Sequence, residues 1–237
     1  MAKVTTDGKF PRRIGDFVLY PLQGAIVIRA KSGFTSKALK TSPKYALSRQ
    51  NASEFGRVSA TCKAIRVALQ LYLPKKNNLA VVNSLTKKMR QLLVYDAESV
   101  RGERTLAKAM TTELAQKELK GYHFNPDAVV ALSYQMDDEQ LQLVTSGLCF
   151  PDGATSVCFT VLSFAFDFDT KESSIVSSAP SFFSAVTLAD SLVLAVPSLE
   201  GYSGTLFTIL VVSFYSVLDG GYVPLEDDRS NMVVILG

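Results

Sequence analysis

The pattern of apolar and polar residues divides this chain of 237 residues into a helical part and a strand-rich part. Between residues 41 and 119, apolar residues recur at every third or fourth position, which is the period of an amphipathic helix. From Tyr122 onward they alternate with polar residues or form short runs, as they do in β-strands. The period changes at Gly121, which predicts a boundary between two domains there.

The segment before the helices is predicted to be an arm followed by a β-hairpin. Residues 1–15 are polar and basic, and we expect them to form a flexible arm. Asp16–Tyr20 and Ala25–Ala30 have the composition of short strands. The link between them contains Pro21 and Gly24, so the two strands are expected to pair as a hairpin.

Three helices are predicted to follow a polar loop over residues 31–39. Thr-Ser-Pro at residues 41–43 supplies a capping hydroxyl and a proline suited to the first turn, so the first helix is expected to run from there to Leu71. A second helix is predicted over Leu79–Leu92 and a weaker third over about Thr105–Leu119. Because the first two are joined by a short link, we expect an antiparallel helical hairpin.

The first two helices carry regular stripes of residues. An apolar seam on the first, expected to be buried, consists of Phe55, Val58, Cys62, Ile65, Leu69 and Tyr72. Small residues recur at every fourth place beside it, at Ala52, Gly56, Ala60, Ala64 and Ala68. The second helix has its apolar face at Leu79, Val82, Leu85, Met89 and Leu92, with Lys87, Lys88 and Arg90 mostly off that face. A glycine such as Gly56 destabilises a helix interior by roughly 1 kcal/mol relative to Ala. Its presence therefore predicts that another backbone approaches closely, in the same subunit or in a neighbour.

Eight segments after Gly121 have the pattern of strands, separated by Asp, Gly, Ser and Pro. They are Ala128–Tyr134, Gln140–Ser146, Ser156–Phe168, Ser174–Ser178, Phe183–Val186, Ser191–Val196, Gly204–Leu218 and Met232–Leu236. This number of short strands is typical of a β-sandwich. We therefore expect an α+β fold of two domains, with the hairpin and helices over residues 16–121 and an antiparallel β-sandwich, Ig-like in size, over residues 122–237.

The net charge changes sign at the same place where the apolar period changes. Residues 1–121 contain 23 Lys and Arg against 8 Asp and Glu, a net charge of +15, and residues 122–237 contain 2 against 14, a net charge of −12. Such opposition is typical of a part that binds a polyanion, or of parts that attract their counterparts on neighbouring copies.

The sequence contains no recognisable catalytic or cofactor motif. His123 is the only histidine, and Cys62, Cys149 and Cys158 lack metal-ligand spacing, so we expect no zinc site and three free, buried thiols. Nucleotide-binding glycine loops and a nucleophile elbow are also missing. Carboxylates cluster at residues 137–139, 167–169 and 226–228. A solvated acidic rim explains these clusters, while a calcium site at residues 167–169 stays open.

Several motifs resemble those of a family of uncharacterised bacterial proteins, mainly from Bacteroidetes. The matching segments are Val27–Gly33, Thr41–Tyr45, Arg49–Gly56, Lys63–Arg66, Arg101–Arg104, Gly121–Asn125 and Phe214–Leu225. The resemblance covers the N-terminal half well and the C-terminal half loosely, and it implies no activity or cofactor. The family tends to have a second glycine after Gly33, where this chain has Phe34, so that turn is expected to differ.

The charged positions of these motifs have a structural interpretation. Arg49, Arg101 and Arg104 are expected to form bidentate pairs with Glu54 or Glu103, which would hold loops against the helices. The alternative is a docking surface for another copy or partner. The full set of candidate interaction residues is Arg49, Asn51, Glu54, Phe55, Gly56, Lys63, Arg66, Arg101, Glu103 and Arg104.

These observations favour a non-enzymatic structural protein that assembles with itself, as part of a filament, sheath or particle. Contacts between the basic helical domain and the acidic β domain of neighbouring copies would hold the assembly. The alternative is an intracellular module whose basic half binds nucleic acid, which the lack of interleaved aromatic residues and of a recognition-helix motif disfavours. Without a signal peptide or membrane span, the expected location is the cytoplasm, with non-classical export or release in a particle left open.

Overall fold

The protein has an α+β fold in which helices are combined with antiparallel sheets. The structure is a computed structural model, and it describes residues 2–4, 10–22, 24–31, 35–74, 78–137, 139–225 and 228–237. The chain forms two compact units, Met1–Asn51 and Ala52–Gly237.

The first unit contains a four-stranded antiparallel sheet. Its strands are β1 (Ala2–Val4), β2 (Arg13–Ile14), β3 (Phe17–Leu22) and β4 (Ala25–Ala30), in the order β1-β4-β3-β2. The predicted hairpin is thus present as β3 and β4. The sequence also predicts a flexible arm over residues 1–15, but two segments of it are strands on either side of the hairpin. Residues 1 and 5–9 lie outside the described part of the chain.

A short helix, α1 (Ser36–Thr41), lies where the sequence predicts only a polar loop. The hydroxyl of Thr35 accepts a hydrogen bond from the backbone N–H of Ala38 and so caps the first turn. A 3₁₀ turn over Pro43–Tyr45 then leads to α2 (Ala46–Ala68), which ends three residues before the predicted Leu71. Pro43 lies in the first turn as predicted, but the hydroxyl of Ser42 makes no capping hydrogen bond there.

The remaining helices are α3 (Asn78–Leu92), α4 (Leu106–Ala109) and α5 (Glu113–Leu119). The predicted helix over residues 105–119 is therefore two short helices. Thr105 and Thr112 each cap one of them, accepting from the backbone N–H of Lys108 and of Ala115. A capping threonine holds extended backbone before the new helix, so the chain cannot continue as one.

Nine strands after Gly121 form two antiparallel sheets in the described residues. The large sheet has the order β12-β11-β7-β8, with β13 also on β11 and β9 also on β7, and the small sheet has the order β10-β6-β5. The strands are β5 (Ser133–Met136), β6 (Gln140–Val144), β7 (Ser156–Phe166), β8 (Ser173–Ser177), β9 (Ser181–Ser184), β10 (Ser191–Ala195), β11 (Thr205–Leu218), β12 (Gly221–Pro224) and β13 (Met232–Ile235). The pattern did not predict β12, because its glycine and proline are typical of a turn.

The large sheet is covered on both faces, and β7 shows this most clearly because all eleven of its residues are buried. Leu162, Phe164 and Phe166 pack in one apolar cluster with residues of the helices. Val157 and Phe159, on the opposite face, pack in a second cluster with residues of the small sheet. The order of layers in this unit is therefore helices, large sheet, small sheet.

The helical residues after Asn51 and the strands share one of these clusters. Ile65 and Leu85 from the helices lie in it with Phe207 and Ile235 from the strands. The domain boundary predicted at Gly121 remains a prediction, but in the structure apolar packing crosses it.

The three cysteines are free thiols, and two of them are buried as expected. Burial raises the pKa of Cys62 to about 11 and also raises the pKa of Cys158. The expectation is wrong for Cys149, which is exposed. Cys149 follows the turn at Gly147, outside the strands of the core, and this explains its exposure.

Candidate anion-binding groove between two helices

Helices α2 and α3 run antiparallel, with their apolar faces on the large sheet. Cys62 and Ile65 of α2 are buried in the helix-side cluster, together with Leu85 and Met89 of α3. The antiparallel direction follows from two contacts, because residues early in α2 meet residues late in α3. The guanidinium of Arg90 lies 6.0 Å from the ring centre of Phe55, and Cys62 lies within hydrogen-bonding reach of Thr86 further along.

The apolar faces differ at three positions from those predicted. Phe55 was expected in the buried seam, but 48% of it is exposed. On α3, Leu79 is 70% exposed and Val82 is half-buried, while Val81 is buried in their place. Leu85, Met89 and Leu92 are buried as predicted, so the difference on α3 is confined to its first turns.

A solvent-open groove of about 640 Å³ lies between α2 and α3. Its walls are Phe55, Ser59, Lys63 and Arg66 from α2, and Val82, Asn83, Thr86, Lys87, Arg90 and Gln91 from α3. Four of these ten residues are cations, and none of them is a carboxylate. The groove therefore gathers positive charge that the chain itself does not neutralise there, and an anion entering it would be attracted by all four cations.

The side chains in the groove are accessible to a ligand. Lys63, Lys87 and Arg90 are exposed, and Arg66 is half-buried. The Nε of Arg66 is buried and has no hydrogen-bond acceptor among the described residues. By contrast, Lys88 lies outside the groove and donates to Glu118 at 2.9 Å. The groove cations thus differ from Lys88 on the same helix surface, which is paired with a carboxylate.

A second group of motif residues holds the loop that precedes α4. Glu54, only 4% exposed as a side chain, accepts from Nε of Arg104 at 2.8 Å and from Nη2 at 3.0 Å, one bond to each carboxylate oxygen. It also accepts from the backbone N–H of Gly102 at 2.7 Å. The hydrogen bonds from Arg104 hold the pKa of Glu54 below its ordinary value, although burial opposes them. This carboxylate therefore fixes the loop to α2.

Arg57 and Asp96, which the sequence analysis did not identify, also help to hold the loop before α4. Arg57 donates to the carbonyl oxygens of Gly102 and Arg104. Asp96 is buried and accepts from the backbone N–H of Ser99 and of Thr105. Burial raises the pKa of Asp96, but the hydrogen bonds outweigh it and the net shift is downward. Spacing alone offered no signal for either residue, since the bonds that hold this loop are made with its backbone atoms.

The other candidate residues lie apart from both features or serve local structure. Arg49 donates to the carbonyl oxygens of Leu39 at 2.8 Å and Ser42 at 2.9 Å, and no pair with Glu54 is formed. Asn51, Arg101 and Glu103 lie outside the groove walls, although the charge of Arg101 also lowers the pKa of Glu54.

The interpretation of Gly56 is not supported within the chain. Gly56 lies on an exposed face of α2, and a Cβ added there would meet nothing within 4 Å. No described backbone therefore approaches it closely.

The candidate calcium site and the single histidine make local structural contacts in the described residues. No group of three or more His, Cys, Asp or Glu is arranged to hold a metal ion there. Asp167 uses its carboxylate to accept from the backbone N–H of Asp169 and Thr170, which closes its own turn. His123 is partly buried, which lowers its pKa, and its backbone bridges to Val234.

The sequence analysis identified candidate residues on only one wall of the groove. Lys63 and Arg66 stand in the motifs of α2, but Lys87 and Arg90 of α3 were recognised only as lying off the apolar face.

No helix within the described ranges is long and apolar enough to cross a membrane. Comparisons with protein-family models, with curated proteins and with solved structures found no match.

Proposed function

We propose that the protein is a non-enzymatic structural protein that assembles with itself, as part of a filament, sheath or particle. Basic helical surface of one copy meets acidic surface of the β part of another. The observation that carries the proposal is the groove between α2 and α3, where four cations and no carboxylate face solvent in a chain whose strand-rich half has a net charge of −12.

The acidic counterpart is spread over the turns and loops of the β part. Exposed carboxylates occur there at Asp127, Asp137, Glu139, Asp152, Asp169, Glu172, Asp190, Glu200 and Asp219. The same half of the sequence has only Lys171 and Arg229 as cations. Two copies placed with the groove of one against such a turn therefore attract each other, whereas two grooves or two acidic turns repel.

A contact between two different surfaces repeats from copy to copy. Such heterologous contacts give closed rings or open filaments, depending on the rotation between neighbours. The charges involved are exposed, so salt screens them, and the Debye length falls from roughly 10 Å at 0.1 M to 3 Å at 1 M. Self-association held in this way is expected to weaken as salt rises.

The proposal is tested by the mass of the purified chain at increasing salt. In sedimentation velocity we expect species heavier than the 25.8 kDa monomer at low ionic strength, and a shift toward the monomer as salt rises through the screening range of about 0.1–1 M. Circular dichroism at each salt concentration controls for unfolding. A folded monomer throughout, at tens of micromolar protein, contradicts the proposal. Negative-stain images of the low-salt sample distinguish filaments from rings.

A second candidate function, binding of single-stranded nucleic acid, is favoured by the position of Phe55. The sequence showed no aromatic residue interleaved with the cations, but in the structure this half-exposed ring lines the groove beside Arg90. A basic groove with an exposed aromatic ring is the arrangement that takes a phosphate backbone and a stacked base.

Fluorescence anisotropy with a labelled single strand tests this second candidate. If it holds, Phe55→Ala weakens binding about 5- to 150-fold, because stacking of one base contributes roughly 1–3 kcal/mol. Phe17→Ala is the matched control, since Phe17 is 50% exposed and lies outside the groove. Absence of binding by the unmodified chain at about 50 mM salt, where phosphate attraction is strong, removes nucleic acid as a candidate.

A further inference from the structure

We infer that the groove between α2 and α3 receives the acidic turn between β5 and β6 of a second copy. The inference rests on the proposed function and names the two surfaces that meet. The turn comprises Asp137, Asp138 and Glu139, three consecutive acidic residues in the sequence, and both described members are exposed.

The groove suits a narrow, acidic, protruding element. Its wall on α2 extends from Phe55 to Arg66, which is about 16 Å at a rise of 1.5 Å per residue. The two strands of a hairpin lie about 5 Å apart, so this wall is long enough to contact both of them. Lys63 and Arg66 line one wall and Lys87 and Arg90 the other. The exposed carboxylates of Asp137 and Glu139, placed between these walls, meet cations on both sides.

The β5–β6 turn is favoured over the acidic turn between β7 and β8 for two reasons. It contains no cation, whereas the turn between β7 and β8 contains Lys171. That second turn also borders Arg57 and Arg104 of its own chain, because these residues line one cavity with Asp169 and Lys171. Its negative charge is therefore partly neutralised within the chain.

Hydrogen bonds hold the described residues on either side of position 138 before any partner binds. One carboxylate oxygen of Asp137 accepts from the backbone N–H of Glu139 at 2.9 Å and of Gln140 at 2.7 Å. β5 and β6 continue the turn as a paired ladder, and Leu141 of β6 is fully buried. Residues that are already held in this way lose little conformational freedom on binding, which favours association.

The partner in this contact is a different copy, because the layer order separates the two surfaces within one chain. The helices pack on one face of the large sheet, and the small sheet, with β5 and β6, packs on the other. Sheets and helices pack about 10 Å apart, so the large sheet stands between a groove and its own acidic turn. Each copy then offers a groove on one side and a tip on the other, so the contact can propagate.

Two charge variants of the full chain test the inference. The groove variant is Lys63→Glu/Lys87→Glu, and the tip variant is Glu139→Lys/Gln140→Lys, which leaves the carboxylate of Asp137 in place. Each variant alone is expected to associate about 10- to 100-fold more weakly than the unmodified chain at low salt, since like charges then face each other. A 1:1 mixture is expected to recover at least a heterodimer, because the tip of the first variant still matches the groove of the second.

The control for net charge is Lys108→Glu/Lys117→Glu. These lysines lie outside the groove on α4 and α5, are exposed, and give the same change of four charge units as the groove variant. This control is expected to associate within a few-fold of the unmodified chain. Circular dichroism and urea unfolding of all variants establish that each one is folded.

The outcomes separate this inference from the proposed function. If the unmodified chain is monomeric at low salt, the proposed function fails and the inference fails with it. If it associates but the groove variant associates as the control does, or the mixture recovers nothing, self-assembly stands and this contact is overturned. If the groove variant instead loses binding of single-stranded DNA while self-association is unchanged, the occupant is nucleic acid and the inference is also overturned.

Discussion

Gly204→Ala is expected to destabilise the protein by about 3–5 kcal/mol, through both backbone strain and a clash with the large sheet. Gly204 has a φ of +88°, which side-chain-bearing residues rarely adopt. A Cβ added there would fall against the carbonyl oxygen of Phe166 and 2.6 Å from the Cα of Asp167. These are backbone atoms at the end of β7, where Phe166 is fully buried, so they cannot move aside without disturbing the central strand pair.

Gly201→Ala is the matched control for this substitution. Gly201 has a similar φ of +65°, but an added Cβ would meet nothing within 4 Å. It should therefore show only the conformational cost, about 1–2 kcal/mol. Urea unfolding of both variants isolates the clash as the difference between them. Equal free energies of unfolding for the two variants would show that the backbone of β7 yields, contrary to this account.

Local patterns in the sequence predicted the elements well but not the surfaces that meet. The hairpin of β3 and β4, the helices α2 and α3 and most strands follow from period and capping residues, which act within a few positions. The antiparallel pairing that the sequence predicts for the strand-rich region is also confirmed, in both of its sheets. These patterns do not predict the order of the layers. β7 is apolar on both faces, and a continuous apolar run does not say which element covers each face.

The groove illustrates a second limit. A helical pattern marks which residues avoid water, but it does not say which polar residues of two helices lie side by side. Phe55 fits the seam by spacing and yet is exposed, while Val81 is buried one residue from the predicted face. Leu85, Met89 and Leu92 are buried as predicted, so Lys87 and Arg90 lie off the apolar face as expected, but the period of α3 does not say that they face Lys63 and Arg66 of α2. The charges are visible in the sequence, but their arrangement around one groove depends on how α2 and α3 pack side by side.

Glu54→Ala is expected to cost about 3 kcal/mol of the free energy of unfolding, because it leaves several groups without their acceptor. The carboxylate accepts two hydrogen bonds from Arg104 and one from the backbone N–H of Gly102, and the side chain is almost fully buried. Removing one partner of a buried, charged hydrogen-bond network costs roughly 2–5 kcal/mol, and the partial exposure of Arg104 argues for the lower part of that range. Thermal or urea unfolding measures the loss.

Glu103→Ala is the control for the loss of a carboxylate in the same region. Glu103 is exposed, and substitutions at such positions usually change stability by less than about 0.5 kcal/mol. If both variants lose the same stability, the network around Glu54 does not hold the loop before α4 to α2, and the structural interpretation of these motif residues is wrong.

The contribution of Glu54 should also depend on pH in a defined direction. Hydrogen bonds from Arg104, and secondarily from Gly102, hold the pKa of Glu54 below its ordinary value of 4.5 despite burial. A depressed pKa in the folded state means that the stabilisation is fully present above the unfolded pKa and is lost as pH falls through the folded one. The stability difference between the unmodified chain and Glu54→Gln is therefore expected to be constant from neutral pH to about pH 5.5 and to shrink below pH 4.5. Asp96, whose pKa is also lowered, is present in both proteins, so its titration cancels in this difference. A difference that stays constant down to pH 3, or grows on acidification, would show that the ionised carboxylate does not stabilise the fold through Arg104.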